Sequence, residues 1–229
     1  MRGETMPGRS EVLDAIKDYD SKKYSEDFYN FYLNKISKAV EPAEQLETDV
    51  RHLFHWFLGK VHTEAIAAIE SVEVNGTMYY LSGMPPSNNA CIEEAVKNEN
   101  LWAGLAFKNG NLPIENFLNY AKSLTRNSIV MPAFFIHIFN PKDYPILNNK
   151  VWAAYREELG RNVFINTKPK NWDNYLEYVG YCNYLKRRLG LSLREIDKGL
   201  WVIGERLKDI ARQQDKEDGS IEGQVNLFT

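Results

Sequence analysis

Along most of the chain apolar residues recur every three or four positions, the period of one face of an α-helix, with polar residues between them. Phe28, Phe31, Tyr32 and Ile36 follow Ser25 at this spacing, which predicts a helix capped by Ser25 and running to about Val40. Pro42 opens a second helix whose apolar face is Leu46, Val50, Leu53, Phe54, Phe57 and Val61. The period changes between Val72 and Leu81, where residue types alternate around Asn75-Gly76, a dipeptide that favours the two-residue turn of a β-hairpin. Met84-Pro85-Pro86-Ser87-Asn88-Asn89 is turn-rich, and Asn89 is placed to cap a helix over Cys91 to Lys97.

Helical spacing returns after Pro113 with Ile114, Phe117, Leu118 and Ala121. Two further apolar runs follow, Ile129 to Phe139 and Val151 to Leu159, the second closed by Gly160 as a C-cap. A helix containing Trp172, Tyr175, Tyr178 and Tyr184 ends at Lys186-Arg187-Arg188. Ser192-Leu193-Arg194-Glu195 reads as a capping box before the apolar face Ile196, Leu200, Ile203, Leu207 and Ile210. These elements predict a mainly α fold: one compact helical domain over residues 1–212 with one small β-hairpin near 72–81. After Arg212 the run QQDKEDGSIEG offers no apolar face, so residues 213–229 are expected to be a disordered tail.

With 229 residues, 44% hydrophobic and 26% charged, the chain can bury the core of one globular domain or two small ones. Thirteen Tyr, eleven Phe and five Trp could line a core, a base-stacking pocket or both. The formal net charge of -3 gives no overall basic footprint, so contact with DNA would need a local basic face. Cys91 and Cys182 stand far apart without metal-type spacing and read as reduced thiols. Met1 to Ser10 lacks the apolar core of a signal peptide, and no run reaches the length of a membrane span, so a cytoplasmic protein with no membrane partner is expected. No Ser-His-Asp set, phosphate loop or nucleotide fingerprint occurs, and no cofactor is expected.

The segment LTRNSIVMPAFFIHIFNPKDYPILNNKVWAAYREELG, Leu124 to Gly160, lays out a buried helix, a tight connection and a second helix. Tyr144-Pro145-Ile146-Leu147-Asn148-Asn149-Lys150-Val151 and the closing Leu159-Gly160 resemble the helix-hairpin-helix DNA glycosylase superfamily, most nearly its adenine-mismatch branch. Members enter one helix from a DNA-binding hairpin and open the next with Pro-x-x-Asp. The resemblance implies a repair protein that flips a damaged or modified base and cuts its N-glycosidic bond. It places the catalytic carboxylate at Asn148 and the DNA contacts at Thr125, Arg126, Asn127 and Ser128, with Lys150, Lys168 and Lys170 as cations for phosphate.

Two departures from the family pattern carry consequences. A neutral Asn148 can neither activate water nor balance a cationic sugar, which implies weak or absent cleavage, and no lysine stands in for a Schiff-base residue. The hairpin position has no glycine, so contacts there would come from side chains and the following helix N-terminus. Three other accounts remain open. One is a non-catalytic DNA-binding or clamp-associated accessory module on the same fold. Another is a helical protein-interaction domain. The third takes Pro145 to Asn148 as an ordinary turn with Asn as N-cap.

The last residues, Gln224-Val225-Asn226-Leu227-Phe228-Thr229, resemble the Gln-x-x-Leu-Phe peptide that binds the bacterial sliding clamp. That resemblance implies Leu227 and Phe228 in an apolar clamp pocket, Gln224 at its rim, and a tether that gives reach. Asp49, His52 and His55 share neighbouring faces of the second helix, with His62 two turns on. No other segment supplies partnering His or Cys residues, so these are read as core-edge histidines and no metal is expected. His137 is read as a hydrogen-bonded core residue.

Overall fold

The structure is a computed structural model that describes residues 8–21, 25–124, 128–158 and 171–217. Among the described residues the chain is mainly helical, with ten α-helices and one three-stranded antiparallel sheet. It divides into two compact units, Lys23–Tyr144, and Met1–Lys22 with Pro145–Thr229. The division falls after Tyr144.

The Lys23–Tyr144 unit holds α2 (Glu26–Lys38), α3 (Glu44–Phe57), the sheet, α4 (Pro86–Ala95), α5 (Asn98–Lys108), α6 (Ile114–Lys122) and α7 (Val130–Phe139). Phe28, Tyr32 and Ile36 of α2 and Leu46, Val50, Leu53 and Phe54 of α3 are buried, as their spacing requires, while Phe31 and Phe57 are half-buried and Tyr29, off the expected face, is buried. Ser25 stands at the N-cap of α2 without a side-chain cap bond. The other end is closed from a distance. Lys108 of α5 donates its ammonium to the carbonyls of Ile36, Ser37 and Ala39 at 3.2, 3.0 and 2.6 Å, adding to the Ala39 N–H that Ile36 already accepts at 3.2 Å. Helix α3 ends at Phe57, because Gly59 at φ 67° turns the chain into β1 (Val61–His62). Val61, expected on the helical face, is therefore a strand residue.

Strands β2 (Ala68–Val74) and β3 (Thr77–Ser82) pair from Val74↔Thr77 to Ala68↔Ser82, in the sheet order β1-β3-β2. Asn75 and Gly76 take φ 51° and 78°, the positive values a two-residue hairpin turn needs. Helix α4 starts at the proline pair, with Pro85 as N-cap, so Asn89 lies inside it. Gly104 of α5 lets Phe139 of α7 press against its backbone; a Cβ there would stand 2.6 Å from Phe139 Cδ2.

The second unit holds α1 (Arg9–Ser21), α8 (Asn149–Glu158), α9 (Trp172–Leu189) and α10 (Leu193–Glu217). The capping box forms: Ser192 N–H and Oγ donate to Glu195 Oε2 at 2.7 Å, and Glu195 N–H donates to Ser192 Oγ at 3.2 Å. Those bonds hold the Glu195 carboxyl below its usual range. Asn171 caps α9 by accepting from Asn174 N–H at 2.9 Å, and Gly190 ends it at φ 67°. Helix α10 continues through Glu217, past Arg212, where the tail was expected to begin; residues 218–229 lie outside the described residues. Gly199 and Gly204 admit α1 and α8 onto α10. No described helix is long and apolar enough to cross a membrane.

Candidate functional site

Residues Pro145 to Leu147 are buried yet belong to neither helix nor strand. Their backbone polar groups therefore need partners from elsewhere. Asp197 of α10, 2% exposed, accepts from Ile146 N–H at 3.1 Å. Two tyrosines of α9 close the other side: Tyr178 donates to the Ile146 carbonyl and Tyr175 to that of Pro145, both at 3.3 Å. Burial, with Cys182 and Asp197 beside it, pushes the Tyr178 hydroxyl well above its ordinary range. Burial, then Asp197, does the same to the Cys182 thiol. Both groups stay neutral and act here as fixed polar packing.

This clamp delivers Asn148 to the start of α8. Its Oδ1 accepts from Lys150 N–H at 2.8 Å and Val151 N–H at 3.2 Å, and its carbonyl accepts from Trp152 N–H at 3.0 Å. Asn148 is thus a full N-cap, with the acceptor that the sequence reading assigned to chemistry turned onto the helix. It offers neither a negative charge nor a basic lone pair. Lys150, read as a phosphate contact, has its ammonium 2.7 Å from Glu205 Oε1 and 3.4 Å from the centre of the Trp201 ring. Ser128, half-buried, accepts from Val130 N–H at 3.2 Å at the start of α7. Thr125, Arg126, Asn127, Gly160, Lys168, Lys170, Gln224, Leu227 and Phe228 lie outside the described residues.

The histidines all lie in the Lys23–Tyr144 unit. His137 Nδ1 stands 2.7 Å from the Tyr144 carbonyl and Nε2 2.6 Å from the Tyr29 hydroxyl. A carbonyl can only accept, so Nδ1 carries the proton and Tyr29 donates to Nε2. His52 Nε2 meets Glu70 Oε1 at 3.1 Å, and His62 Nε2 meets Ser82 Oγ at 3.2 Å. Asp49 is bound by Lys35 at 3.0 Å and Gln45 at 2.7 Å. Among the described residues no three or more His, Cys, Asp or Glu side chains converge as metal ligands.

Tyr175, Tyr178 and Asp197 are residues of the candidate site that the sequence did not mark. Each looks like an ordinary position on a helix face, and only the burial of a charged residue at Asp197 would have marked one of them. Comparisons with protein-family models, curated proteins and solved structures find no match to this chain.

Proposed function

We propose that this chain is a cytosolic DNA-repair protein of base-excision glycosylase type, recruited through a sliding clamp by its C-terminal peptide and weak or silent in the cleavage step. The observation that supports the reading is the placement of Asn148. It opens α8 at the position where the resembled family carries its carboxylate, and Asp197, Tyr175 and Tyr178 fix the backbone leading to it. Such rigid support is what a site for an extruded nucleotide needs.

A second reading, a non-catalytic DNA-binding accessory module, is favoured by the bonds Asn148 makes. Its only acceptor oxygen is engaged by Lys150 and Val151 N–H groups, and the side chain is neutral. Loss of one electrostatic stabiliser costs about 3 kcal/mol of barrier, on the order of a hundredfold in rate.

The deciding experiment incubates wild type and Asn148→Asp with duplexes carrying different lesions, followed by alkali, alongside duplex binding at several salt concentrations. Strand breaks with the Asp variant and few with wild type support the glycosylase reading. No product from either, with salt-sensitive binding weakened by Arg126→Glu, supports the accessory module. Undetectable or salt-independent binding removes DNA as the partner.

A further inference from the structure

The sheet of the Lys23–Tyr144 unit has one long edge. In the order β1-β3-β2, β3 is central, β1 is two residues long, and β2 pairs with β3 alone among the described residues. An antiparallel strand turns the N–H and C=O of alternate residues to opposite sides, so β2 holds a row of main-chain donors and acceptors away from β3. No backbone bond among the described residues reaches that row. The hairpin itself is firmly seated. Val74, Tyr79 and Leu81 are buried, and Phe28 of α2 meets Tyr79 with ring centres 5.3 Å apart. The edge is therefore a fixed rail.

From Thr63 to Ser71 every residue is exposed, with Ile66 at 65% and Ile69 at 69%. Edge strands are commonly guarded by lysine or proline, and Thr63 to Val74 contains neither. A bulge at Ile69 breaks the register between Ala68 and Glu70, which leaves Glu70 to Val74 as the regular part of the rail. Carboxylates guard this part. Glu70 shares the inner face with Val72 and Val74; it meets His52 at 3.1 Å yet keeps 48% of its side chain exposed. Glu73 lies on the outer face beside Met78. The surroundings are acidic too: residues 23–144 carry 14 Asp and Glu against 10 Lys and Arg, a net charge of -4, while the whole chain carries -3. A second copy is a poor occupant. Two β2 strands paired through these residues would bring Glu70 and Glu73 of both copies onto neighbouring positions of strands about 5 Å apart, where like charges destabilise.

We propose that β2 docks an extended basic peptide of a partner protein as a further strand, with cations of the peptide beside Glu70 and Glu73 and an apolar residue against Ile69. Main-chain bonds to the open side of β2 supply the affinity, as in other strand additions. The carboxylates supply the selection. Glu70 and Glu73 stand three residues apart on opposite faces of the sheet, so the peptide that matches them carries lysine or arginine at the same three-residue spacing. The negative charge that keeps copies of the chain apart is thus what attracts this partner.

Titrating the intact chain into the dye-labelled peptide Thr-Val-Lys-Val-Thr-Lys-Val-Thr at low ionic strength, read by fluorescence anisotropy, tests this. Binding should weaken roughly tenfold when both lysines are glutamate, and at least as much when the peptide backbone is N-methylated and loses its strand-pairing donors. At saturation, amide hydrogen exchange should slow at the outward-facing amides of residues 70–74 more than anywhere else in the chain. Glu73→Lys, at an exposed position, should weaken the lysine peptide about fivefold and strengthen the glutamate peptide. Should that variant fold poorly, the exchange map of the wild type decides alone. Equal binding of the N-methylated peptide, protection on another surface, or no binding at millimolar peptide would each overturn the proposal. Protection of the same amides that grows with protein concentration in the absence of peptide would overturn it as well, because a second copy would then be the occupant.

Discussion

Replacing Gly204 by alanine would place a methyl carbon 2.6 Å from the carbonyl carbon of Lys150 and 3.1 Å from its Cα, whereas carbon atoms pack at about 3.5–4.0 Å. Both contacts are backbone atoms in the first turn of α8, so no change of rotamer relieves them. Helix α8 would have to retreat from α10 by about 1 Å, an overpacking strain of ~3 kcal/mol, at the upper end for core insertions because the obstacle is main chain. Retreat also strains the Lys150–Glu205 pair and the stacking of Lys150 on Trp201. Alanine favours a helix over glycine by ~1 kcal/mol, which offsets part of that strain, leaving a net loss of about 2 kcal/mol. In urea denaturation followed by circular dichroism, with a slope of about 2 kcal/mol/M, the midpoint of the unit carrying α8 to α10 should fall by roughly 1 M. Gly180, an exposed position of α9 with nothing within 4 Å of an added Cβ, is the control; Gly180→Ala should stabilise by about 0.5–1 kcal/mol. A Gly204→Ala variant that gains stability as Gly180→Ala does would refute the close approach of the two helices.

Two other substitutions probe residues that are not part of the candidate site. Lys108→Met keeps the apolar stem but removes the ammonium from the Ser37 and Ala39 carbonyls and from that of Ile36, which keeps Ala39 N–H; a loss of about 2 kcal/mol is expected, with faster amide exchange in the last turn of α2. Unchanged stability would mean that water replaces the lysine without penalty. Replacing Leu227 and Phe228 together by Ala should abolish binding to a sliding clamp in a calorimetric titration and leave the melting temperature within about a degree, because two apolar residues suffice for a pocket but not for a core. An earlier melt of the double variant would make the tail structural instead.

What the sequence revealed was local. Asn75-Gly76 and Ser192 to Glu195 each encode their geometry within four residues, and both form as read. Helix α5 has no legible stripe because Leu101 to Phe107 runs without a polar residue, the 51% exposed Trp102 included, so the buried and exposed faces read alike. Strand β1 is two residues long and exists through pairing with β3, a partner about twenty residues on. Asn89 and Ser25 had suitable cap chemistry, but the proline pair set the start of α4 earlier, and α2 begins without a side-chain cap. At the candidate site the start of α8 was legible from Asn148 and the apolar run that follows. The clamp behind it was not, since Tyr175, Tyr178 and Asp197 lie 30, 32 and 51 residues from the backbone groups they hold. Nor does composition show that Asn148 faces back onto its own helix or that Lys150 is already occupied by Glu205.

The bonds around His137 have a spectroscopic consequence. With Nδ1–H fixed on the Tyr144 carbonyl and the ring 1% exposed, this imidazole proton is shielded from exchange with water and should resonate far downfield of the amide envelope. Few side-chain protons occupy that window, so one line reports whether the Lys23–Tyr144 unit is intact. Trp201, whose ring lies under the Lys150 ammonium in the other unit, offers an independent signal in its indole N–H resonance, resolved from those of the other four tryptophans. Together they give each unit its own probe, so a perturbation of α8 and α10 can be followed without mistaking it for loss of the unit built around α3.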